Sequence, residues 1–310
     1  MTLFTSNSTA TNYRLKIIEG PYSWSRPIQI NNSGEVIMSS QENGVYSSWI
    51  WSEEKGVKYI GDGLNNNPGL NTYNINNLGQ VVGWETTSTG ATRPFIWSEE
   101  TGMRNLNNLL GQSCGPTGIN DRSQVIGGLN DGSDFIWSEV EGLKILGKLD
   151  EYNNASYYLE NINNLGQVVG YIGSTDNGFI PFLWSYGSVT QLCPNFGIAS
   201  DINNLGQIVG VGKIEGFAGP EFYGFLWLNG QMYNLNDIIK DENAPNPYGP
   251  IEFGFAKSIN DYGDIVGTYD EGIYVLFNED AIRNAVPEPS AMILFSVLGL
   301  PFLAKFKKRS

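Results

Sequence analysis

The chain has 310 residues, with 18 Lys and Arg against 32 Asp and Glu, a net charge of −14 and no histidine. Hydrophobic residues make up 41% and aromatics 13%, which excludes a disordered chain and allows a sizeable core. The missing histidine excludes Ser-His-Asp and Cys-His catalysis and the usual zinc, copper and haem sites. The acidity argues against nucleic acid as a partner, because phosphates would be repelled.

Residues 1–12 contain no apolar stretch and are expected to be disordered, with no recognisable secretion signal. "YRLKIIEG" (13–20) reads as a strand. Six segments then align on an Ile-Asn pair: Ile30-Asn31, Ile75-Asn76, Ile119-Asn120, Ile162-Asn163, Ile202-Asn203 and Ile259-Asn260, at steps of 45, 44, 43, 40 and 57 residues. Some twenty residues after each pair comes a second element: "WIWS", "FIWS", "FIWS", "FLWS", "FLWL" and "YVLF". A third follows in five units, as in "GVKYIG" (56–61), "GMRNLN" (102–107), "GLKILG" (142–147), "GSVTQL" (187–192) and "GQMYNL" (230–235).

All of these are short, rich in Val, Ile, Phe, Trp and Tyr, and bounded by turn residues, so each reads as a strand. No helical period is evident before residue 288. A four-stranded meander every 40–45 residues is the pattern of a β-propeller blade, in preference to a solenoid or a string of sandwiches. The sixth unit lacks a fourth strand, and 13–20 is the spare one. The expectation is an all-β, six-bladed propeller over 13–280, closed by its own N-terminal strand.

The stretch "INNLGQVVG" (75–83), repeated at 162–170 and nearly so at 202–210, has neither the Gly-Lys-Ser/Thr of a phosphate loop nor alternating carboxylates for calcium. No cofactor or metal is expected. Its Asn suits an Asx-turn and its glycine a positive φ, together a type I turn with a glycine bulge. Gly34, Gly79, Gly166, Gly206 and Gly263 fill that place. Ser123 replaces them in the third unit, where strain of about 1 kcal/mol or a different turn is expected. A second glycine (Gly83, Gly127, Gly170, Gly210, Gly267; Met38 in the first unit) falls inside a strand, suggesting close approach of a neighbouring backbone or aromatic.

Trp51, Trp97, Trp137, Trp184 and Trp227 recur once per unit in an apolar strand, which favours packing between blades over sugar stacking. Trp24, Trp49 and Trp84 break the pattern and are candidates for exposed contacts. Cys114 and Cys193 occupy unmatched places in different units, as a possible pair in an oxidising compartment or as two semi-buried thiols.

The meander puts the short, uniform turns on one face and the long, irregular loops on the other, where function is expected. Those loops carry Asp62, Asp134, Asp150, Asp176, Glu215, Glu221, Asp241, Glu252 and Asp270, with Tyr152, Tyr157, Tyr158, Phe217, Tyr223 and Tyr248. Such residues serve sugar binding or carboxylate catalysis, but nothing in the sequence pairs two of them. No catalytic residue is assigned.

After a Pro-rich linker (281–290), residues 291–304 carry no charge and precede Lys305, Lys307, Lys308 and Arg309. As a helix the uncharged run spans about 21 Å, short of the ~30 Å hydrocarbon core, so 291–310 reads as a marginal membrane or sorting segment with its basic end on the cytoplasmic side.

Two resemblances follow. The unit "IN[ND]xGQVVG … FLWxxG" resembles the HAF repeat of predicted extracellular proteins over about residues 20–278. The family's His-Ala is absent, since the units read "RPFIW", "SDFIW", "IPFLW" and "YGFLW", so no role of that histidine is carried over. The tail, with Val286, Pro287, Glu288, Pro289 and Ser290 ahead of the apolar stretch and basic end, resembles a PEP-CTERM sorting signal. That resemblance implies export, processing near Pro287-Glu288-Pro289 by an exosortase-type membrane protease, and association with exopolysaccharide or biofilm matrix. The family's N-terminal signal peptide is not evident. The resulting expectation is an exported, non-catalytic propeller at the cell surface or in the matrix, binding polysaccharide or a protein. The alternatives are a carboxylate-dependent glycoside hydrolase or lyase, or a purely structural matrix protein.

Overall fold

The computed structural model describes residues 13–18, 20, 25–42, 45–59, 70–87, 89–98, 100–146, 156–174, 178–193, 196–213, 222–238, 254–269 and 272–279. Chain order begins with β1 (Tyr13–Ile18). The first complete unit is β2 (Arg26–Ile30), β3 (Val36–Glu42), β4 (Val45–Ser52) and β5 (Gly56–Tyr59). The second is β6 (Leu70–Ile75), β7 (Val81–Thr86), β8 (Thr92–Ser98) and β9 (Gly102–Asn105). The third is β10 (Cys114–Ile119), β11 (Val125–Leu129), β12 (Asp134–Ser138) and β13 (Gly142–Ile145). The fourth is β14 (Ser156–Ile162), β15 (Val168–Ser174), β16 (Gly178–Ser185) and β17 (Ser188–Gln191). The fifth is β18 (Gly197–Ile202), β19 (Ile208–Gly212), β20 (Tyr223–Leu228) and β21 (Gln231–Asn234). The sixth has β22 (Phe255–Ile259), β23 (Ile265–Tyr269) and β24 (Gly272–Asn278).

Each unit is one antiparallel sheet in sequence order, and the last sheet runs β1-β24-β23-β22. Tyr13 pairs with Asn278 and Ile18 with Ile273 without a slip. The first strand of each blade packs against the first strands of its neighbours, with β2 meeting both β6 and β22. These six strands are therefore innermost, and the protein is a six-bladed β-propeller.

The core lies between blades. Each recurrent Trp joins a cluster shared with the preceding blade: Trp51 with Val266 and Val275, Trp97 with Ile37, Trp137 with Val82 and Ile96, Trp184 with Ile126, and Trp227 with Val169. Trp51 and Trp137 are buried and the other three half-buried, and full burial of a large apolar side chain is worth about 1.5–3 kcal/mol. Trp49 and Trp84 are half-buried rather than exposed. Trp49 donates from Nε1 to Ser40 Oγ at 2.8 Å and packs on Tyr59 at 4.7 Å. Trp24 lies outside the described residues.

Two short helices depart from the all-strand reading, α1 (Leu106–Leu110) and α2 (Leu235–Ile238). Both begin where the third repeated element was expected to continue as strand. Asn105 caps α1 by accepting from Asn107 N, and Gly111 ends it at φ 74°. Leu106 and Leu235 turn into the core, so a buried leucine takes the place of an extended end. Among the described residues no helix is long and apolar enough to cross a membrane. The residues from 280 onward, with the sorting motif and tail, lie outside the described residues.

Candidate functional site: an axial cup

The Asn turns close one end of the axis. Gly34, Gly79, Gly166, Gly206 and Gly263 all have φ between 71° and 80°, and each N–H bonds back to the Asn three residues earlier at 3.0–3.1 Å. Ser123 keeps the same turn at φ 55°, and its hydroxyl donates to Gln80 Oε1 of the preceding blade at 2.7 Å. The serine thus holds a left-handed conformation together with a bond between blades.

The turns also fasten neighbouring blades, a role that their local chemistry did not announce. The first Asn donates to the next turn's carbonyl, as from Asn76 to Asn120 O at 2.9 Å and Asn120 to Asn163 O at 2.9 Å. The next residue of each turn forms a closed circuit. Its N–H donates to the side-chain oxygen of its counterpart one blade on: Asn32 to Asn77, Asn77 to Asp121, Asp121 to Asn164, Asn164 to Asn204, Asn204 to Asp261, and Asp261 back to Asn32, at 2.7–3.0 Å. The two carboxylates, in opposite blades, each accept from both neighbouring amides, Asp121 from Asn77 and Asn164 and Asp261 from Asn32 and Asn204. Only about 50 Å³ remains inside this ring.

The other end of the axis is open. In every blade the pairing of first and second strands slips by one residue at the same place. The bulge leaves Ile28, Tyr73, Thr117, Glu160, Ser200 and Lys257 without a cross-strand partner. All six line one axial cavity of about 420 Å³, with Arg26, Ser39, Asn71 and Asn74 also in its wall. The volume lies in the range of small-molecule sites. It is formed by the starts of the first strands, so it opens on the face of the long, irregular loops.

The strand glycines explain how the bulge is held. A Cβ at Gly83, Gly127, Gly170, Gly210 or Gly267 would sit 1.9–2.2 Å from the carbonyl oxygen of Asn71, Gly115, Tyr158, Ile198 or Phe255 respectively. Each of these carbonyls lies two residues before the bulged residue. The close approach is therefore to backbone, and it belongs to the element that presents the site.

Beneath the cup lies a polar floor. Asn74 Nδ2 donates to Asn161 Oδ1 at 2.9 Å, reaching from the second blade to the fourth. Gly118 of the third blade leaves that path open, since a Cβ there would meet Asn161 Oδ1 at 3.0 Å. Asn161 in turn donates to Asp201. Asp201 also accepts from Ile202 N at 2.7 Å, Ser258 Oγ at 2.5 Å and Ile259 N at 2.8 Å. Burial pushes the Asp201 carboxyl pKa up, against the opposing pull of these donors.

Within the cup, Lys257 Nζ reaches Glu160 at 3.5 Å, joining the sixth blade to the fourth. Arg26 has no ion-pair partner among the described residues. Two buried side-chain oxygens of residues in this wall, Asn74 Oδ1 and Thr117 Oγ1, have no hydrogen-bond partner among the described residues, although Asn74 is only 3% exposed. A file of aromatic rings leads outward from Glu160. Tyr158 stacks on Tyr171 at 4.7 Å, followed by Phe179 at 4.8 Å, Phe196 at 5.2 Å and Phe222 at 4.9 Å. Burial raises the Tyr171 pKa, as do the nearby Glu160 and Tyr158.

Of the loop residues singled out in the sequence, Tyr158 belongs to this file. Tyr157 packs edge-on against Phe182 at 5.6 Å, and Tyr223 is buried in the core. Asp134 opens β12, where burial pushes its pKa to about 6. Asp62, Asp150, Asp176, Glu215, Glu221, Asp241, Glu252, Asp270, Tyr152, Phe217 and Tyr248 lie outside the described residues. Cys114 is a buried thiol, raised to about 11 by desolvation, and Cys193 is a half-buried one. Among the described residues no group of three or more metal-binding side chains occurs.

No family model and no curated protein matches the chain. Solved structures resemble it only in fold. The β-propeller domain of the Trilobed protease from Pyrococcus furiosus is 11% identical with a TM-score of 0.47, over 83% of this chain and 84% of that one. A catalytically inactive virginiamycin B lyase from Staphylococcus aureus is 10% identical with a TM-score of 0.43, over 86% and 99%. The Aleuria aurantia lectin with α-methyl-L-fucoside is 12% identical with a TM-score of 0.41, over 83% and 88%.

Proposed function

We propose that the chain is a non-catalytic binding propeller of the cell surface or extracellular matrix, which takes a polysaccharide in its axial cup. The observation that carries this is the set of six bulges. An otherwise repetitive ring presents six different side chains to one cavity, as recognition of a shaped, asymmetric ligand requires. Glu160 is the one carboxylate among the described residues of the cup wall, and it is engaged by Lys257. Glycoside hydrolysis needs two carboxylates flanking the scissile bond, which favours binding over catalysis. The pairing of β1 with β24 supports closure of the ring by the N-terminal strand.

A glycan array probed with residues 1–287 tests the binding role. The expected result is retention on a subset of glycans with no release of shortened products. Hydrolysis or lyase products would overturn the non-enzymatic reading.

Export is the second part of the proposal, and it rests on the sorting motif at Val286–Ser290 and the basic end from Lys305 to Arg309. The tail would hold the chain transiently in the inner membrane until an exosortase-type protease removes it. Mass spectrometry of the protein from its own cells should find a C-terminus near Pro287-Glu288-Pro289. An intact tail on cytosolic protein would overturn this part.

A further inference from the structure

We infer that the cup recognises a hydroxylated monocarboxylate of monosaccharide size, a hexuronate unit. This rests on the binding role proposed above and names its ligand class.

Three features of the wall converge on that chemistry. Arg26 and Lys257 stand on adjacent blades, against one carboxylate, Glu160, which Lys257 engages at 3.5 Å. The guanidinium left over faces the cavity of a chain whose net charge is −14. One guanidinium without an ion-pair partner among the described residues matches one negative charge, and its planar fork fits a carboxylate through two parallel hydrogen bonds. A dianionic phosphate would leave charge unmatched.

One and two blades on from Arg26, Asn74 Oδ1 and Thr117 Oγ1 are buried with no hydrogen-bond partner among the described residues. An unpaired buried acceptor is destabilising, and a ligand hydroxyl donating to Asn74 relieves it. The Thr117 hydroxyl can both donate and accept, which suits the vicinal hydroxyls of a sugar. Between these two groups and Arg26 stands Tyr73, part-exposed in the wall. Its ring offers a flat face to the C–H side of a pyranose. Carboxylate, hydroxyls and an apolar face occur together in a sugar acid.

The same chemistry arises from a free sugar acid or from the end unit of an acidic polysaccharide, and the aromatic file distinguishes them. Tyr158 lies two residues from Glu160, and the file continues through Phe179, 37% exposed, to Phe222, 39% exposed. A chain whose end unit fills the cup would lay its next units along these rings, whereas a free sugar would not reach them.

Calorimetric titration of the full chain with glucuronate, glucose, inorganic phosphate and an oligouronate tests the inference. Glucuronate should bind at least tenfold more tightly than glucose or phosphate. Arg26→Gln should remove that preference. Thr117→Val, a near-isosteric change at a part-buried site, should weaken both sugars at least threefold without lowering the melting temperature. Oligouronate binding more tightly than the monomer, with the gain lost in Phe179→Ala, identifies a chain end; equal affinity identifies a free sugar acid. Equal binding of glucose and glucuronate, a preference for phosphate, or insensitivity of glucuronate to Arg26→Gln would overturn the acidic specificity. Retention of neutral glycans on the array in those cases leaves the binding role standing, and no retention of any glycan removes both.

Discussion

A chain that begins at residue 20 is expected to lose its monomeric state and melt at least 10 °C lower than the full chain. β1 covers the outer edge of β24 over six consecutive residues. Tyr13 and Ile18 are buried there, and Leu15 and Ile17, half-buried, pack against the cluster that holds Tyr13. Removing these four side chains, two buried and two half-buried, forfeits about 5 kcal/mol of apolar burial and bares a strand edge that pairs readily with other chains. Arg14 adds a link between blades. It donates to Glu53 of the first blade and to Glu279 beyond β24, each at 3.0 Å, and lies 4.4 Å above the Phe277 ring. Sedimentation and thermal melting of the shortened chain check this, and a synthetic peptide covering 10–20 should restore the monomer when added back. A shortened chain that stays monomeric with an unchanged melting temperature would show that β1 does not close the ring.

Gly170→Ala is expected to destabilise the fold by about 3 kcal/mol, because its Cβ would meet the Tyr158 carbonyl oxygen at 1.9 Å. That neighbour is backbone and cannot swing away, so the fourth blade must give up its bulge or spread its strands. Costs at the upper end of the overpacking range follow, or about 5–10 °C in melting temperature for a domain of this size. Gly79→Ala is the control. It meets nothing within 4 Å and suffers only its φ of 73°, costing about 1 kcal/mol. If the two variants melt alike, the strand glycine does not hold the bulge. The Gly170 variant should also shift Glu160, so its ligand binding should fall even where the protein remains folded.

The blade count was legible because repetition is a stronger signal than local propensity. The Ile-Asn pairs and the recurrent Trp fix one strand and one inter-blade contact per unit, and the structure places both where that repetition predicts. The turn glycines were equally legible, since positive φ has few chemical solutions. The site was less so. Tyr73, Thr117, Glu160, Ser200 and Lys257 each stand two residues before an Ile-Asn pair, at a position where the repeat does not agree with itself. Variation against a uniform background was the available signal, but a bulge cannot be seen in residue identity, and strict alternation would have pointed these side chains elsewhere. The Asn circuit was hidden for a different reason. An Asn in a turn satisfies its own loop, and nothing local reveals that the next Asn serves the neighbouring blade. The short helices escaped because Leu106 and Leu235 continue an apolar pattern that suits a strand end as well as a helical turn.

The central claim is that the six bulges form the binding site, and Ser200→Trp tests it most directly. Ser200 is half-buried in the cup wall, so an indole there fills the cavity without entering the core between blades. Titration of the best array glycan into the wild type and this variant, with melting temperatures measured alongside, should show an unchanged fold and binding weakened at least tenfold. Undiminished binding by the folded variant would contradict the assignment and move the site away from the axis.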